Sequence, residues 1–148
     1  MPDFQTSTRW MHGTLSEVQP TDGPALTVSS PAAFGGEGNH WTPEDLLLGA
    51  AESCLLQTFL FFVRRQKLEL LGWQSRAEAK MEKTPNGLRV AAITLRVQLQ
   101  ASSAEEAERL RATVQQAEQY CPVSNALQVP VHLEIDTEPA VGSSSSGG

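Results

Sequence analysis

Thr42-Pro43-Glu44-Asp45-Leu46-Leu47-Leu48-Gly49-Ala50-Ala51-Glu52-Ser53-Cys54-Leu55-Leu56 is the stretch on which the fold turns. Thr42 suits a helix N-cap. Pro43 suits the first helical position, where its missing N–H costs nothing, and Glu44 and Asp45 suit the positive end of the dipole. The apolar pattern runs on through Phe59, Leu60, Phe61 and Phe62 to Arg64-Arg65-Gln66-Lys67, a basic and solvated end. A helix from Thr42 to Gln66 is roughly 36 Å long at 1.5 Å per residue. It is apolar nearly all round, and such a helix is buried on most sides. One small domain cannot surround it, so the pattern predicts a homodimer in which a second copy covers it.

On the C-terminal side, residues 71–82 alternate, with Trp73, Ser75, Ala77, Ala79 and Met81 on one face and Gln74, Arg76, Glu78, Lys80 and Glu82 on the other. Thr84-Pro85-Asn86-Gly87 is a hairpin turn signal. The returning strand, 88–100, turns Ala91, Ile93, Leu95, Val97 and Leu99 inward, opposite Thr94, Arg96 and Gln98. Ser102 with Glu105 reads as a capping box for a second helix that buries Ala107, Leu110, Val114 and Ala117. Pro122 starts a new short turn after Cys121, and a final strand covers 129–135. On the N-terminal side, residues 3–10 and 13–19 form weakly alternating strands and 24–30 a third. The Gly-rich segment Phe34-Gly35-Gly36-Glu37-Gly38-Asn39 lacks the Lys-Ser/Thr of a phosphate loop and reads as a mobile connection. The domain reading is one α+β unit over 1–139, followed by a flexible Gly/Ser tail over 140–148 that takes no part in the fold.

Composition narrows the function. A net charge of −6 argues against a nucleic-acid surface. The longest apolar runs, such as Leu55 to Val63, are too short for a bilayer, which predicts no membrane role. Met1-Pro2-Asp3-Phe4 lacks the start of a signal peptide, so a soluble cytoplasmic protein is expected. His12, His40 and His132 are scattered without ligand spacing, and two cysteines are too few for a cysteine-rich zinc site; no metal and no cofactor are expected. Trp10, Trp41 and Trp73 read as core or pocket wall.

The chemistry rests on Cys54 and Cys121, the only two cysteines of the chain. Each lies on or at the end of a helix, which invites a redox reading: one thiolate attacks and the other resolves. An apolar setting raises the pKa of Cys54, so an activating cation or donor is required. Glu52 is out of place on an apolar helix. It faces solvent, pairs with Arg9 or tunes Cys54, and the sequence leaves these open.

Thr42-Pro43-Glu44-Asp45-Leu46-Leu47 through Ala51 to Cys54, with Cys121-Pro122-Val123-Ser124-Asn125-Ala126-Leu127 downstream, resembles the OsmC/Ohr family of osmotically inducible and organic hydroperoxide resistance proteins. The resemblance implies an α+β OsmC-like fold, with antiparallel sheets around long central helices in an intertwined homodimer. It implies a cofactor-free thiol peroxidase acting on small organic hydroperoxides. The regenerating partner would be an external thiol reductant, a lipoyl protein in the family pattern. Cys54 takes the place of the attacking cysteine, Cys121 of the resolving one and Glu44 of the glutamate that holds an activating arginine. The arginine itself is out of register here; Arg9 is the candidate, with His12 beside it. Glu44 precedes Cys54 by ten residues, about 15 Å along a straight helix, so it cannot touch that thiol within the helix. The alternative reading is a non-peroxidatic dimer that binds a small apolar or thiol-reactive ligand.

Overall fold

A computed structural model describes residues 1–139; the expected Gly/Ser tail lies outside the described residues. The chain folds as two compact units, Met1–Leu47 and Leu48 onward. In the first, β1 (Thr6–His12), β2 (Leu15–Pro20) and β3 (Leu26–Val28) form an antiparallel sheet in the order β1-β2-β3. Gly13, at φ 55°, makes the β1–β2 turn, in a conformation that favours glycine.

The Gly-rich segment is less open than the sequence suggests. It begins with a 3-10 turn at Ala32–Phe34, and the buried Ser29 hydroxyl pins the backbone beyond that turn. That oxygen accepts the Glu37 N–H at 3.1 Å and shares a 2.8 Å hydrogen bond with Thr14. Gly36 passes so close to the Ser30 carbonyl that an added Cβ would lie 1.8 Å from its oxygen. Turn composition signalled the loop; only the tertiary contacts of Ser29 fix its path. Trp10 and Trp41 are 73% and 46% exposed, not core residues in this chain.

Helix α1 (Pro43–Gln66) starts where Thr42 predicts. Thr42 Oγ1 accepts the Asp45 N–H at 3.1 Å and Asp45 Oδ2 accepts the Thr42 N–H at 3.0 Å, so two orphan donors of the first turn are satisfied reciprocally. With 24 residues it is long and apolar enough to cross a bilayer by length and composition, contrary to the expectation drawn from the apolar runs alone. Short polar interruptions, Glu52-Ser53 and Gln57-Thr58, break the runs without shortening the helix. Ala51, Leu55, Phe59 and Val63, one per turn, are its buried stripe. The rest is half-exposed or exposed; Phe61 is 53% exposed.

In the second unit, β4 (Gly72–Thr84) and β5 (Gly87–Gln100) pair in the hairpin register set by Pro85-Asn86. Thr84 Oγ1 accepts the Asn86 N–H and donates to the Gly87 carbonyl, which closes the turn. Ile93, Leu95, Val97 and Leu99 are at most 1% exposed, as the alternation predicts. They face the helices, and Phe59 of α1 packs on Trp73 of β4 with ring centroids 5.0 Å apart.

Helix α2 (Ala104–Tyr120) buries the predicted Ala107, Leu110, Val114 and Ala117, with Thr113. Its cap is Ser103, not Ser102: Ser103 Oγ accepts the Glu106 N–H at 3.1 Å. The two serines are equivalent by sequence. Glu106 turns its carboxylate to the Glu69 N–H, 2.8 Å away, and so ties the start of α2 to the chain leaving α1. After α3 (Pro122–Ala126), β6 (Val131–Glu138) joins β5 in parallel, giving the order β4-β5-β6. This corrects the expectation of purely antiparallel sheets and moves the last strand two to three residues downstream of 129–135. The α2–α3 crossover is long enough to return the chain in parallel, which no local signal in β6 reveals.

Candidate active site

Cys54 lies one position before Leu55 on α1, at the margin of the buried stripe, and is half-buried. Cys121 lies where α2 must stop. The residue before a proline is pushed out of the helical region, and Cys121 has φ −75° and ψ 111°. Its N–H still reaches the Glu118 carbonyl, and its own carbonyl accepts the Asn125 N–H at 3.0 Å, so one residue ends α2 and opens α3. Its side chain is fully buried. The two thiols, 67 positions apart in the chain, are neighbours in the structure, near enough for Cys121 to act on the ionisation of Cys54, and both are free.

An open groove of about 480 Å³ leads to Cys54. Thr58 and Gln57 lie beside the thiol, and Phe61, Phe62, Tyr120 and Pro122 form the walls. Phe62 packs on Phe61 and on Tyr120, with ring centroids 5.3 and 5.6 Å apart. Leu55 and Phe59, interleaved with the groove residues along the helix, point into the core and not into this groove. A larger cleft, about 540 Å³, lies on the polar face of the second sheet beside Arg76, Arg96, Glu134 and Asp136. It holds neither cysteine, and its one hydroxyl, that of Ser75, donates to Glu52. Arg96 there is occupied by Glu78 and by Glu134.

Burial pushes the Cys54 thiol pKa up, and the neighbouring Cys121 thiol adds to the rise. Two donors oppose this, the Val123 backbone N–H and the Thr58 hydroxyl, and burial prevails. Sequence reasoning missed both donors and the aromatic walls. Helical spacing was the available signal: Thr58 and Phe61 come one and two turns after Cys54.

Arg9 and Glu44 belong to the first unit, Cys54 and Cys121 to the second. Arg9 is an exposed side chain on β1, paired with Glu17 across the strand ladder at 3.3 Å. The Arg9–Glu44 pair expected from sequence does not form within the chain: Glu44 Oε1 is buried and has no hydrogen-bond partner. Cross-strand neighbours satisfy an arginine on an exposed strand before a distant helix can. Glu52 accepts the Ser75 hydroxyl of β4 at 2.6 Å, which settles its place as a helix-to-sheet tether. Among the described residues no group of histidines, cysteines and carboxylates could hold a metal ion.

The family model for OsmC-like proteins matches residues 36–136. An organic hydroperoxide resistance protein-like 2 of Staphylococcus epidermidis is 26% identical over 113 residues, which span 74% of this chain and 77% of that protein. An organic hydroperoxide resistance protein from Legionella pneumophila superposes with a TM-score of 0.71 at 26% identity, covering 93% of this chain and 98% of the other. An OsmC-like protein of unknown function from Vibrio cholerae superposes with a TM-score of 0.81 at 18% identity, covering 91% and 99%, and at that identity the likeness is one of fold.

Proposed function

The chain belongs to the OsmC-like protein family, and on that premise we propose that it is a thiol peroxidase for organic hydroperoxides, with Cys54 as the attacking and Cys121 as the resolving cysteine. The observation that carries this reading is the nearness of Cys121 to Cys54, which lines an apolar groove. The Cys54 thiolate attacks one oxygen of ROOH. The O–O bond breaks, Cys54 becomes a sulfenic acid, and the alkoxide takes a proton and leaves as ROH. The Cys121 sulfur then attacks the sulfenic sulfur and water leaves. An external dithiol returns two electrons and two protons and restores both thiols. The similarity to hydroperoxide resistance proteins of Staphylococcus epidermidis and Legionella pneumophila supports the substrate class.

A homodimer is part of the proposal. Two features of the single chain support it: the apolar residues of α1 outside the buried stripe, and the buried Glu44 oxygen without a donor. A reducing, cytoplasmic setting suits a disulfide that must be reopened in each cycle.

A raised Cys54 pKa, with Arg9 already engaged by Glu17, favours a second reading: a non-peroxidatic dimer whose groove binds a small apolar or thiol-reactive ligand. Cumene hydroperoxide added to the reduced protein separates the two. Rapid loss of two thiols per chain is the peroxidase result, and intact thiols leave the ligand-binding reading.

A further inference from the structure

We propose that the dithiol that reopens the Cys54–Cys121 disulfide attacks the Cys54 sulfur, so that the mixed disulfide forms on Cys54 and Cys121 is the leaving thiolate. The proposal rests on the peroxidase reading above, which supplies the disulfide. The choice of sulfur stands on burial and on the hydrogen bonding around Cys121, and is measurable on a disulfide made without peroxide.

The two sulfurs differ in access. Cys54 is half-buried and lines the open groove. Cys121 is fully buried and takes no part in the groove lining. Its chain neighbours on both sides do: Tyr120, 61% exposed, and Pro122 are groove walls. The chain presents the residues before and after Cys121 to the groove and turns Cys121 itself inward.

The junction of α2 and α3 holds it there. The Cys121 N–H donates to the Glu118 carbonyl at 3.4 Å, and the Cys121 carbonyl accepts the Asn125 N–H at 3.0 Å. The Asn125 side chain reaches back across the junction and donates to the Gln119 carbonyl at 3.1 Å. Turning the Cys121 sulfur to the groove would break bonds on both sides of the residue, whereas Cys54 is open to the groove as it stands.

In thiol–disulfide exchange a thiolate attacks one sulfur and the other leaves. Attack at Cys54 forms a bond between the reductant sulfur and Cys54 and breaks the Cys54–Cys121 bond. Cys121 leaves as a thiolate and takes up a proton equivalent to the one lost by the attacking thiol. The second thiol of the dithiol then attacks its own partner sulfur in the mixed disulfide and releases Cys54, so the dithiol is oxidised to a disulfide and both cysteines are reduced. Attack at Cys121 would instead expel Cys54, whose thiol pKa is pushed up by burial and by Cys121. A thiolate of higher pKa leaves more slowly. Access and leaving-group chemistry therefore favour the same sulfur.

The disulfide is formed in the full chain with one equivalent of cumene hydroperoxide and, in a parallel sample, with diamide. Excess 2-mercaptoethanol, a monothiol that stops at the mixed disulfide, is added. Exchange is quenched with acid at timed points, the freed thiol is alkylated with N-ethylmaleimide in denaturant, and both cysteine peptides are mapped by mass spectrometry. The mercaptoethanol adduct should lie on Cys54 and the maleimide on Cys121, at least about tenfold over the reverse pattern, as a modest local opening cost at a buried site requires. Adducts shared equally, or lying mainly on Cys121, overturn the proposal. Should the mixed disulfide collapse before the quench, single-cysteine variants read the same choice. Methyl methanethiosulfonate should modify Cys54 in Cys121→Ser at least about tenfold faster, in limiting rate at high pH, than Cys121 in Cys54→Ser. Equal rates overturn the proposal. A disulfide from diamide but none from cumene hydroperoxide removes the peroxidase reading, while the mapping still decides the sulfur; no disulfide from either reagent overturns the proposal itself.

Discussion

Replacing Cys121 with serine should separate the two halves of the proposed cycle. Cys121 is fully buried near Cys54, so the exchange of sulfur for oxygen leaves a near-isosteric side chain in place. Its stability cost is that of one imperfectly satisfied buried hydroxyl, about 1–3 kcal/mol, and a folded variant is expected. In the wild type the thiols are already neighbours, and well-oriented intramolecular pairs reach effective molarities on the order of 10⁵ M or more. Taking a value a thousandfold lower, about 10² M, the internal thiol still outruns ~1 mM external thiol by about 10⁵. The sulfenic acid should therefore escape trapping in the wild type, which loses two thiols per turnover. In Cys121→Ser one equivalent of cumene hydroperoxide should consume one thiol, and dimedone should label Cys54. Excess peroxide should then carry Cys54 on to two- and three-oxygen adducts. Intact-mass spectrometry after timed quenching reads every species. Dimedone labelling of the wild type as complete as that of Cys121→Ser would refute the reasoning, because the nearness would then confer no kinetic advantage. Retention of the first turnover in Cys54→Ser would refute the division of roles.

The walls of the groove at Phe61, Phe62, Tyr120 and Pro122 predict that bulky organic hydroperoxides exceed hydrogen peroxide in kcat/KM. At about 0.8 kcal/mol per buried CH2, two or three such groups give roughly tenfold or more, and initial-rate comparison of cumene hydroperoxide with hydrogen peroxide checks it. The half-exposed apolar residues of α1 predict a stable dimer; sedimentation at low micromolar concentration that finds a folded monomer would falsify this. Burial raises the Glu118 carboxyl above its ordinary 4.5, with the Ser124 hydroxyl opposing. The folded state then holds that proton more tightly than the unfolded state, so this residue's contribution to stability falls as pH rises from about 4.5 through the raised value. Glu118→Gln should raise the urea midpoint at pH 7 and change it little at pH 4, and an equal shift at both values would remove the titration argument.

Features decided by neighbours in the chain were legible in the sequence. The Thr42–Asp45 cap, the length of α1, the Thr84–Gly87 turn, the inward face of β5 and the buried stripe of α2 all arise from local hydrogen bonding or from a period of two or 3.6 residues. The segment from Cys121 through α3 was legible for the same reason, since Pro122 acts on the residue before it and opens the turn after it. Motif resemblance singled out Cys54 and Cys121. Their nearness is another matter. It depends on where the end of α2 comes to rest against α1, and no periodicity encodes a meeting of residues so far apart. The parallel pairing of β6, the choice of Ser103 over the equivalent Ser102, and the tether from Glu52 to Ser75 were likewise settled by packing between elements. Arg9 shows the limit most plainly. From sequence it was the basic residue available to Glu44; in the folded sheet the adjacent strand supplies Glu17 first, and Glu44 is left with a buried oxygen and no donor from its own chain. Local rules fix which elements form and which faces they bury, whereas the partner of a charged or reactive group is fixed only when those elements are docked, because its energy depends on distance and burial and not on order along the chain.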